Sequence, residues 1–195
     1  MARHRIGLLG GTFDPPHIGH LMVAVEARAM LNLEEVWLVV AHRPWQKSDR
    51  MVTEASRRLA MAAAAAADLT GVSASSIEFA AEGPTYTVDT LLRLAETHPE
   101  VAPTLILGAD AAAGLDTWHR AAELSDLAEL AVVDRPGAVS QPPVAMSHIG
   151  VPQLDVSSTD IRRRVATGAP FEVLCPPGVV SLIRGWSLYD TADGS

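Results

Sequence analysis

Ile6-Gly7-Leu8-Leu9-Gly10-Gly11-Thr12-Phe13-Asp14-Pro15-Pro16-His17-Ile18-Gly19-His20 is the stretch from which the fold can be read. Ile6 to Leu9 is a short apolar run closed by Gly10 and Gly11, as in a buried strand. The two glycines let the backbone turn tightly and approach a ligand closely. Pro15 and Pro16 stiffen the loop, and from Ile18 to Leu31 the apolar residues take helical spacing. A helix starting there offers unpaired N–H groups and a favourable dipole to an anion. His17 and His20 are three apart, so both rings can sit on one side of the helix start. Gly19 between them has no side chain to block a phosphate. The glycine spacing differs from the dinucleotide fingerprint G-x-G-x-x-G, and no Gly-Lys-Ser/Thr closes the loop as in a Walker motif. The plain alternative is a Gly/Pro turn whose histidines merely cap a helix.

The rest of the chain continues the alternation. Val36 to Ala41 carries three valines, as does a strand covered on both faces. Residues 42–52, with Pro44, Trp45, Lys47, Asp49 and Arg50, read as a loop. Glu54 to Asp68 is a strong helix former, with Arg57 and Arg58 expected outward and Leu59 and Met61 inward. Val72 to Phe79 reads as a strand, Tyr86 to Thr97 as a helix with one apolar stripe, and Thr104 to Leu107 as a strand. Ala109 to Ala128 is helical in pieces broken at Gly114, and Leu130 to Val133 is a short strand. Residues 135–150, rich in Pro, Gly and Ser, read as loop, Val151 to Val156 as the last strand, and Asp160 to Ala166 as a short helix. A final helix spans 177–185 and is expected to stop at Gly185. Strands alternating with helices imply an α/β fold, a doubly wound and mostly parallel sheet. Ligands in such sheets bind beyond the carboxyl ends of the strands, near the switch point.

The chain has 195 residues, 48% of them hydrophobic, enough for one domain over 1–195 with a sizeable core. No repeat or linker divides it. Its formal charge of −8 argues against a general nucleic-acid binder. A small phosphorylated substrate stays compatible, because a few local donors hold one phosphate against an acidic background. The single cysteine, Cys175, excludes a disulfide framework and a Cys-only metal cage and fits a reducing compartment. There is no signal-like segment, and the run Ala60 to Ala67 is too short to span a bilayer. The expectation is a cytoplasmic protein that engages neither membrane nor nucleic acid; a homo-oligomer is left open.

A second candidate site is Val156-Ser157-Ser158-Thr159-Asp160-Ile161-Arg162-Arg163-Arg164. Ser157 and Asp160 have capping-box-like spacing, so a helix should start here. Its first-turn N–H groups would face the carboxyl edge of the sheet, with the hydroxyls of Ser158 and Thr159 and the planar guanidinium of Arg162, which suits phosphate, nearby. The alternative is an ordinary capped helix with a solvated basic face. Gly83-Pro84-Thr85-Tyr86-Thr87-Val88-Asp89-Thr90-Leu91 reads as a turn and a polar helix start, with Tyr86 otherwise a core residue. In Leu107-Gly108-Ala109-Asp110 a carboxylate stands at a strand's end, where it can accept hydrogen bonds from a ribose or an amino group. Trp118, eight residues on, either stacks on a flat ring or packs in the core. Lys47 either reaches a phosphate or is solvated. His98, His119 and His148 lack partners at ligand spacing, and neither a His-Cys zinc pattern nor a Ser-His-Asp or Cys-His nucleophile stands out.

His17-Ile18-Gly19-His20 resembles the His-x-x-His signature of the nucleotidyltransferase superfamily, and the longer string with Pro15-Pro16-His17 resembles the bacterial nicotinate-nucleotide adenylyltransferases. The phosphopantetheine branch is similar but usually carries Thr or Ser where His17 stands. Val156 to Arg162 resembles the family's Ile-Ser-Ser-Thr-x-Ile-Arg, with Val156 replacing Ile, and Gly83 to Leu91 resembles its Gly-Pro-Ser-Tyr-Thr-x-Asp-Thr-Leu, with Thr85 replacing Ser. Gly108-Ala109-Asp110 followed by Trp118, Pro44-Trp45-Gln46-Lys47 and Asp134-Arg135-Pro136-Gly137 have counterparts as well, although Ala41-His42-Arg43 departs from the usual Pro-rich version. The resemblance runs from Ile6 to about Tyr189.

It implies a Rossmann-like nucleotidyltransferase fold and transfer of the adenylyl group of ATP to nicotinate mononucleotide. It places His17 and His20 at the triphosphate around the reacting phosphorus. Gly10, Gly11, Thr12 and Phe13, with Ser158, Thr159 and Arg162, would hold the departing phosphates. Lys47 and Arg135 would lie near the ATP phosphates, and Gly108 and Asp110 at the adenosine. Trp118 with Thr85, Tyr86 and Thr87 would hold the pyridine. Mg²⁺ would arrive with ATP on phosphate and water ligands, with no carboxylate cage of the protein's own. Two rivals are a sister transferase using phosphopantetheine or nicotinamide mononucleotide, and a non-catalytic nucleotide sensor on the same fold.

Overall fold

The structure is a computed structural model that describes residues 3–43, 52–80, 83, 85–134, 144–152 and 154–190. Its strands are β1 (His4–Gly11), β2 (Glu35–Val40), β3 (Val72–Ser75), β4 (Val101–Gly108), β5 (Glu129–Asp134) and β6 (Ser147–Gly150). They form one sheet in the order β3-β2-β1-β4-β5-β6, every neighbouring pair parallel. The helices are α1 (Ile18–Met30), α2 (Ala55–Ala66), α3 (Thr87–Thr97), α4 (Ala109–Ala113), α5 (Leu124–Leu127), α6 (Ser158–Ala166) and α7 (Pro177–Gly185). The chain winds outward from β1 to β3, then returns to lay β4 against the other side of β1. That reversal puts the switch point between the carboxyl ends of β1 and β4, both of which end in glycine.

Successive strand side chains point to opposite faces, and the two cores sort accordingly. Leu8, Val39, Leu105, Leu107 and Val132 pack under α3 with Val88, Leu91 and Leu94. Leu9, Leu38, Val40, Ile106 and Ala131 pack on the other face with Ala24, Ala27, Ala62 and Ala66 of α1 and α2. A third cluster joins Met61 and Ala65 of α2 to Ile161 of α6 and Val179, Val180 and Ile183 of α7. The alanines of α2 bring α7 close: a Cβ on Gly178 would lie 3.2 Å from the Ala64 Cβ.

Four expectations are corrected. Arg58 does not point outward; it is 1% exposed, because its guanidinium is consumed by main-chain carbonyls described below. The described residues of 151–156 carry no strand. The last strand is instead β6, inside the stretch read as loop, where Ile149 is fully buried and pairs with Val133. β3 stops at Ser75, and Ile77–Ala80 is a 3-10 turn whose Glu78 accepts from Thr90 of α3. Gly185 is the last residue of α7, not its stop. The left-handed residue is Ser187 (φ 48°), with the Ser187 and Leu188 N–H groups bonded to the Arg184 and Ile183 carbonyls. That is a Schellman ending without glycine. Among the described residues, no helix is long and apolar enough to cross a membrane.

Candidate active site

The loop from Thr12 to His17 joins β1 to α1 at the switch point. Phe13 is buried and takes a left-handed backbone, φ 51°. Its ring fills the space over Gly11, where a Cβ would stand 2.9–3.1 Å from the ring carbons. Glycine is required at that position by this contact. His17 caps α1 in extended conformation, and its N–H donates to Nδ1 of His20 at 3.1 Å. The two imidazoles stack with centroids 3.7 Å apart, and Phe13 meets the His20 ring edge-on at 5.0 Å. Both histidines therefore do face one side. Gly19 serves packing as well as access: a Cβ there would lie 3.0 Å from Val156 and 3.1 Å from the His17 ring. Burial lowers the His17 pKa to about 4, so the ring is uncharged at neutral pH, and its buried Nδ1 has no hydrogen-bond partner among the described residues.

Side chains from distant elements fix the main chain of this loop. Ser158 Oγ donates to the Pro15 carbonyl at 2.8 Å, and Arg162 Nη1 to the Asp14 carbonyl at 2.6 Å. Arg162 Nη2 also donates to Thr159 Oγ1 at 3.0 Å. Ser157 Oγ caps α6 by accepting the Asp160 N–H at 3.1 Å. The start of α6 thus braces the histidine loop from the far end of the chain, a contact that motif reading does not reveal. Arg58 acts on the other side. Its Nη1 donates to the Thr12 and Ala41 carbonyls at 2.9 and 2.7 Å, its Nε to Thr53 at 2.7 Å, and its Nη2 to His42 at 3.2 Å. Burial lowers the Arg58 pKa, and the Asp14 carboxylate opposes that shift.

Two cavities flank the end of β4. The first, about 300 Å³, is lined by Gly10, Gly11, Thr12, Thr85, Tyr86, Thr87, Gly108 and Trp118. It brings together the glycine loop, the start of α3 and the tryptophan. Glu78 also lines it, accepting from Thr85 Oγ1 at 2.7 Å and Thr90 Oγ1 at 3.3 Å, and so fixes the entry to α3. The second, about 370 Å³, is lined by Gly19, Met22, Gly108, Asp110, Asp134 and Pro152 among others. Gly108 and Ala111 belong to both walls, so Asp110 and Trp118 serve different cavities. Lys47 and Arg135, and with them Pro44 to Gln46 and Pro136-Gly137, lie outside the described residues. Among the described residues, no group of three or more His, Cys, Asp and Glu side chains could hold a metal ion.

The sequence reading missed Asp14, Arg58, Glu78 and Tyr189 as parts of the site. Asp14-Pro15 at a strand-to-helix turn was the one signal available. The others are placed only by tertiary contact.

A six-stranded parallel sheet with a braced histidine loop at its switch point is the architecture of a nucleotidyltransferase, and the Cytidylyltransferase-like family matches residues 8–164. The chain belongs, within that class, to the nicotinate-nucleotide adenylyltransferase family. It is 44% identical to a protein of Exiguobacterium sibiricum over 96% of this chain and 100% of that one, and 41% identical to one of Saccharopolyspora erythraea over 99% and 93%. A Streptomyces coelicolor protein is 44% identical over 93% and 98%. Each bears the name "Probable nicotinate-nucleotide adenylyltransferase". Among solved structures, the Plasmodium falciparum nicotinic acid mononucleotide adenylyltransferase complexed with NaAD shares the fold, with TM-score 0.78 and 21% identity over 95% of this chain and 97% of that one.

Proposed function

We propose that this chain, as one nucleotidyltransferase unit over residues 1–195, transfers the adenylyl group of ATP to nicotinate mononucleotide. The products are deamido-NAD and pyrophosphate, and the step belongs to NAD biosynthesis. The observation that carries the site reading is the pair of cavities meeting at Gly108, with the β1–α1 junction reaching both: Gly10 to Thr12 line one, and Gly19 in the first turn of α1 lines the other. A two-substrate transfer needs two adjoining subsites whose reacting groups meet, because bound proximity replaces a bimolecular encounter.

The cavity of Trp118, Tyr86 and Thr87 suits the pyridine nucleotide: an indole to stack on the ring, and N–H groups at the start of α3 for its carboxylate. The cavity of Gly108 and Asp110 suits the adenosine, with the carboxylate accepting from its hydroxyl or amino groups. A phosphate oxygen of the mononucleotide attacks the α-phosphorus in line. The bond from that phosphorus to the bridging oxygen breaks, and pyrophosphate departs with the electron pair. No protein nucleophile takes part; positioning and charge stabilisation do the work.

His17 and His20 are the donors at the α-phosphate. His17, uncharged at neutral pH, meets a phosphate oxygen as an N–H donor and not as a cation. The loop N–H groups of Gly10 to Phe13, the main-chain N–H groups at the Ser158–Thr159 helix start and the Arg162 N–H groups not given to Asp14 and Thr159 are the donors for the leaving phosphates, and the family resemblance adds Lys47 and Arg135 as their cations. Magnesium enters as part of the substrate, Mg-ATP, held by phosphate and water oxygens. The working compartment is the cytoplasm.

The test is pyrophosphate release from Mg-ATP with nicotinate mononucleotide, nicotinamide mononucleotide and phosphopantetheine in turn. Strong preference for the acid nucleotide supports the reading, and preference for another acceptor overturns the pyridine-site assignment. Tight ATP binding with no release in folded protein overturns the transferase reading in favour of a nucleotide sensor.

A further inference from the structure

Tyr189 touches neither substrate cavity, yet its hydroxyl ends on the histidine loop. It donates to Oδ1 of Asp14 at 2.6 Å, across 175 residues of chain. Asp14 is 2% exposed. Its Oδ2 accepts the Thr53 N–H at 3.4 Å, and its carbonyl accepts from Arg162. A buried carboxylate is costly unless it is hydrogen-bonded, so this side chain has a strong reason to stay where these donors are. Burial and the adjacent Asp14 carboxylate raise the Tyr189 phenol far above its ordinary value, so the hydroxyl remains a donor at every working pH.

Left-handed backbone marks both ends of the contact: Phe13, next to Asp14, has φ 51°, and Tyr189 has φ 66°. Non-glycine residues hold such angles only where neighbours over-determine them, and they gather at functional sites. The link from Asp14 to His17 is Pro15-Pro16. Proline fixes its own φ, so few torsions remain between them to absorb a displacement at Asp14 before it reaches His17.

We propose that Tyr189 is a positioning residue for the adenylyl transfer: through the Asp14 carboxylate, its hydroxyl holds the loop that carries His17 and His20 in reactive geometry. The inference rests on the transferase reading above. A misplacement on the order of 1 Å costs roughly a hundredfold in rate. Losing one of several tethers costs less, about tenfold.

The experiment compares the parent, Tyr189→Phe, Asp14→Asn and the double variant. Pyrophosphate release is measured with Mg-ATP and nicotinate mononucleotide, and the His17 imidazole is titrated by NMR. Tyr189→Phe should lower kcat about tenfold while KM for either substrate moves less than about twofold. The double variant should be no slower than Asp14→Asn alone, because the hydroxyl acts only through that carboxylate. The His17 titration should rise from about 4 towards its ordinary 6.5 as water reaches the loosened ring stacked on His20. A kcat within about twofold of the parent, or losses that multiply in the double variant, overturns the proposal. If the parent itself releases no pyrophosphate, the transferase reading falls and the His17 titration decides alone. An unmoved midpoint then overturns the tether as well, and a raised one supports the tether of the histidine loop alone.

Discussion

Replacing Arg58 with methionine tests the brace beneath the histidine loop. The side chain is 1% exposed and donates to the carbonyls of Thr12, Ala41, His42 and Thr53. Methionine keeps an apolar stem as far as the Nε position but donates nothing. Hydrogen bonds from a charged donor contribute about 1.5–3 kcal/mol each. Four would sum to more than a site loses in practice, because water and small shifts recover part. Each buried carbonyl left without a donor costs about 1–3 kcal/mol; with part of that recovered, about 4 kcal/mol is expected. For a chain of this size each kcal/mol moves the melting temperature by about 2–4 °C, which gives a fall of roughly 8–16 °C. The assay is thermal unfolding by far-UV circular dichroism at pH 7, with Arg58→Lys as the control. Lysine keeps the charge but has three donors and no fork, so its melting point should fall between the other two. A fall of less than about 3 °C for methionine would mean that the guanidinium does not carry those carbonyls, and the reasoning would be refuted.

Further outcomes follow from the same geometry. His20→Ala should lower kcat by on the order of 10²–10³, the usual loss for one transition-state donor, with the circular dichroism spectrum unchanged; near-normal turnover would remove His20 from the chemistry. Trp118→Ala should raise KM for the mononucleotide by about tenfold or more, the loss of one stacking partner, and leave KM for ATP nearly unchanged. Acid should weaken the fold through His17, whose pKa falls from 6.5 to about 4 on burial. The unfolded chain then binds more protons than the folded one between those values. This contribution is complete above about pH 6.5 and is lost as pH falls to about 4, a total of about 3 kcal/mol. Urea unfolding of the parent and of His17→Asn, at pH 7 and 4.5, checks the sign. An equal acid loss in both proteins would show that His17 is not the group responsible.

The strand-to-helix loop, the α/β class and the motif order were legible because they are local. Ile6 to Leu9 is a buried strand whatever follows, and His17 and His20 share a side of α1 because three residues span most of a helical turn. Ser157 caps α6 for the same local reason. What lay beyond reach was pairing at a distance. β6 was misplaced to Val151–Val156 because both stretches are short. Only the ladder to Asp134 and the burial of Ile149 select Ser147–Gly150. Arg58 reads as a surface residue by every rule of composition, and it is buried because four carbonyls from separate segments converge on it.

The sequence alone therefore singled out the candidates for the chemistry: the histidine pair, the glycine loop, the helix start at Ser158 and the tryptophan. Their residue types and short spacings are properties of neighbouring positions. The tertiary structure decided where they work. It set the switch point between β1 and β4, divided Asp110 and Trp118 between two cavities, and turned Ser158, Arg162, Arg58 and Tyr189 onto the histidine loop. Contacts across 143 to 175 residues depend on how the whole sheet closes, and no local pattern encodes them.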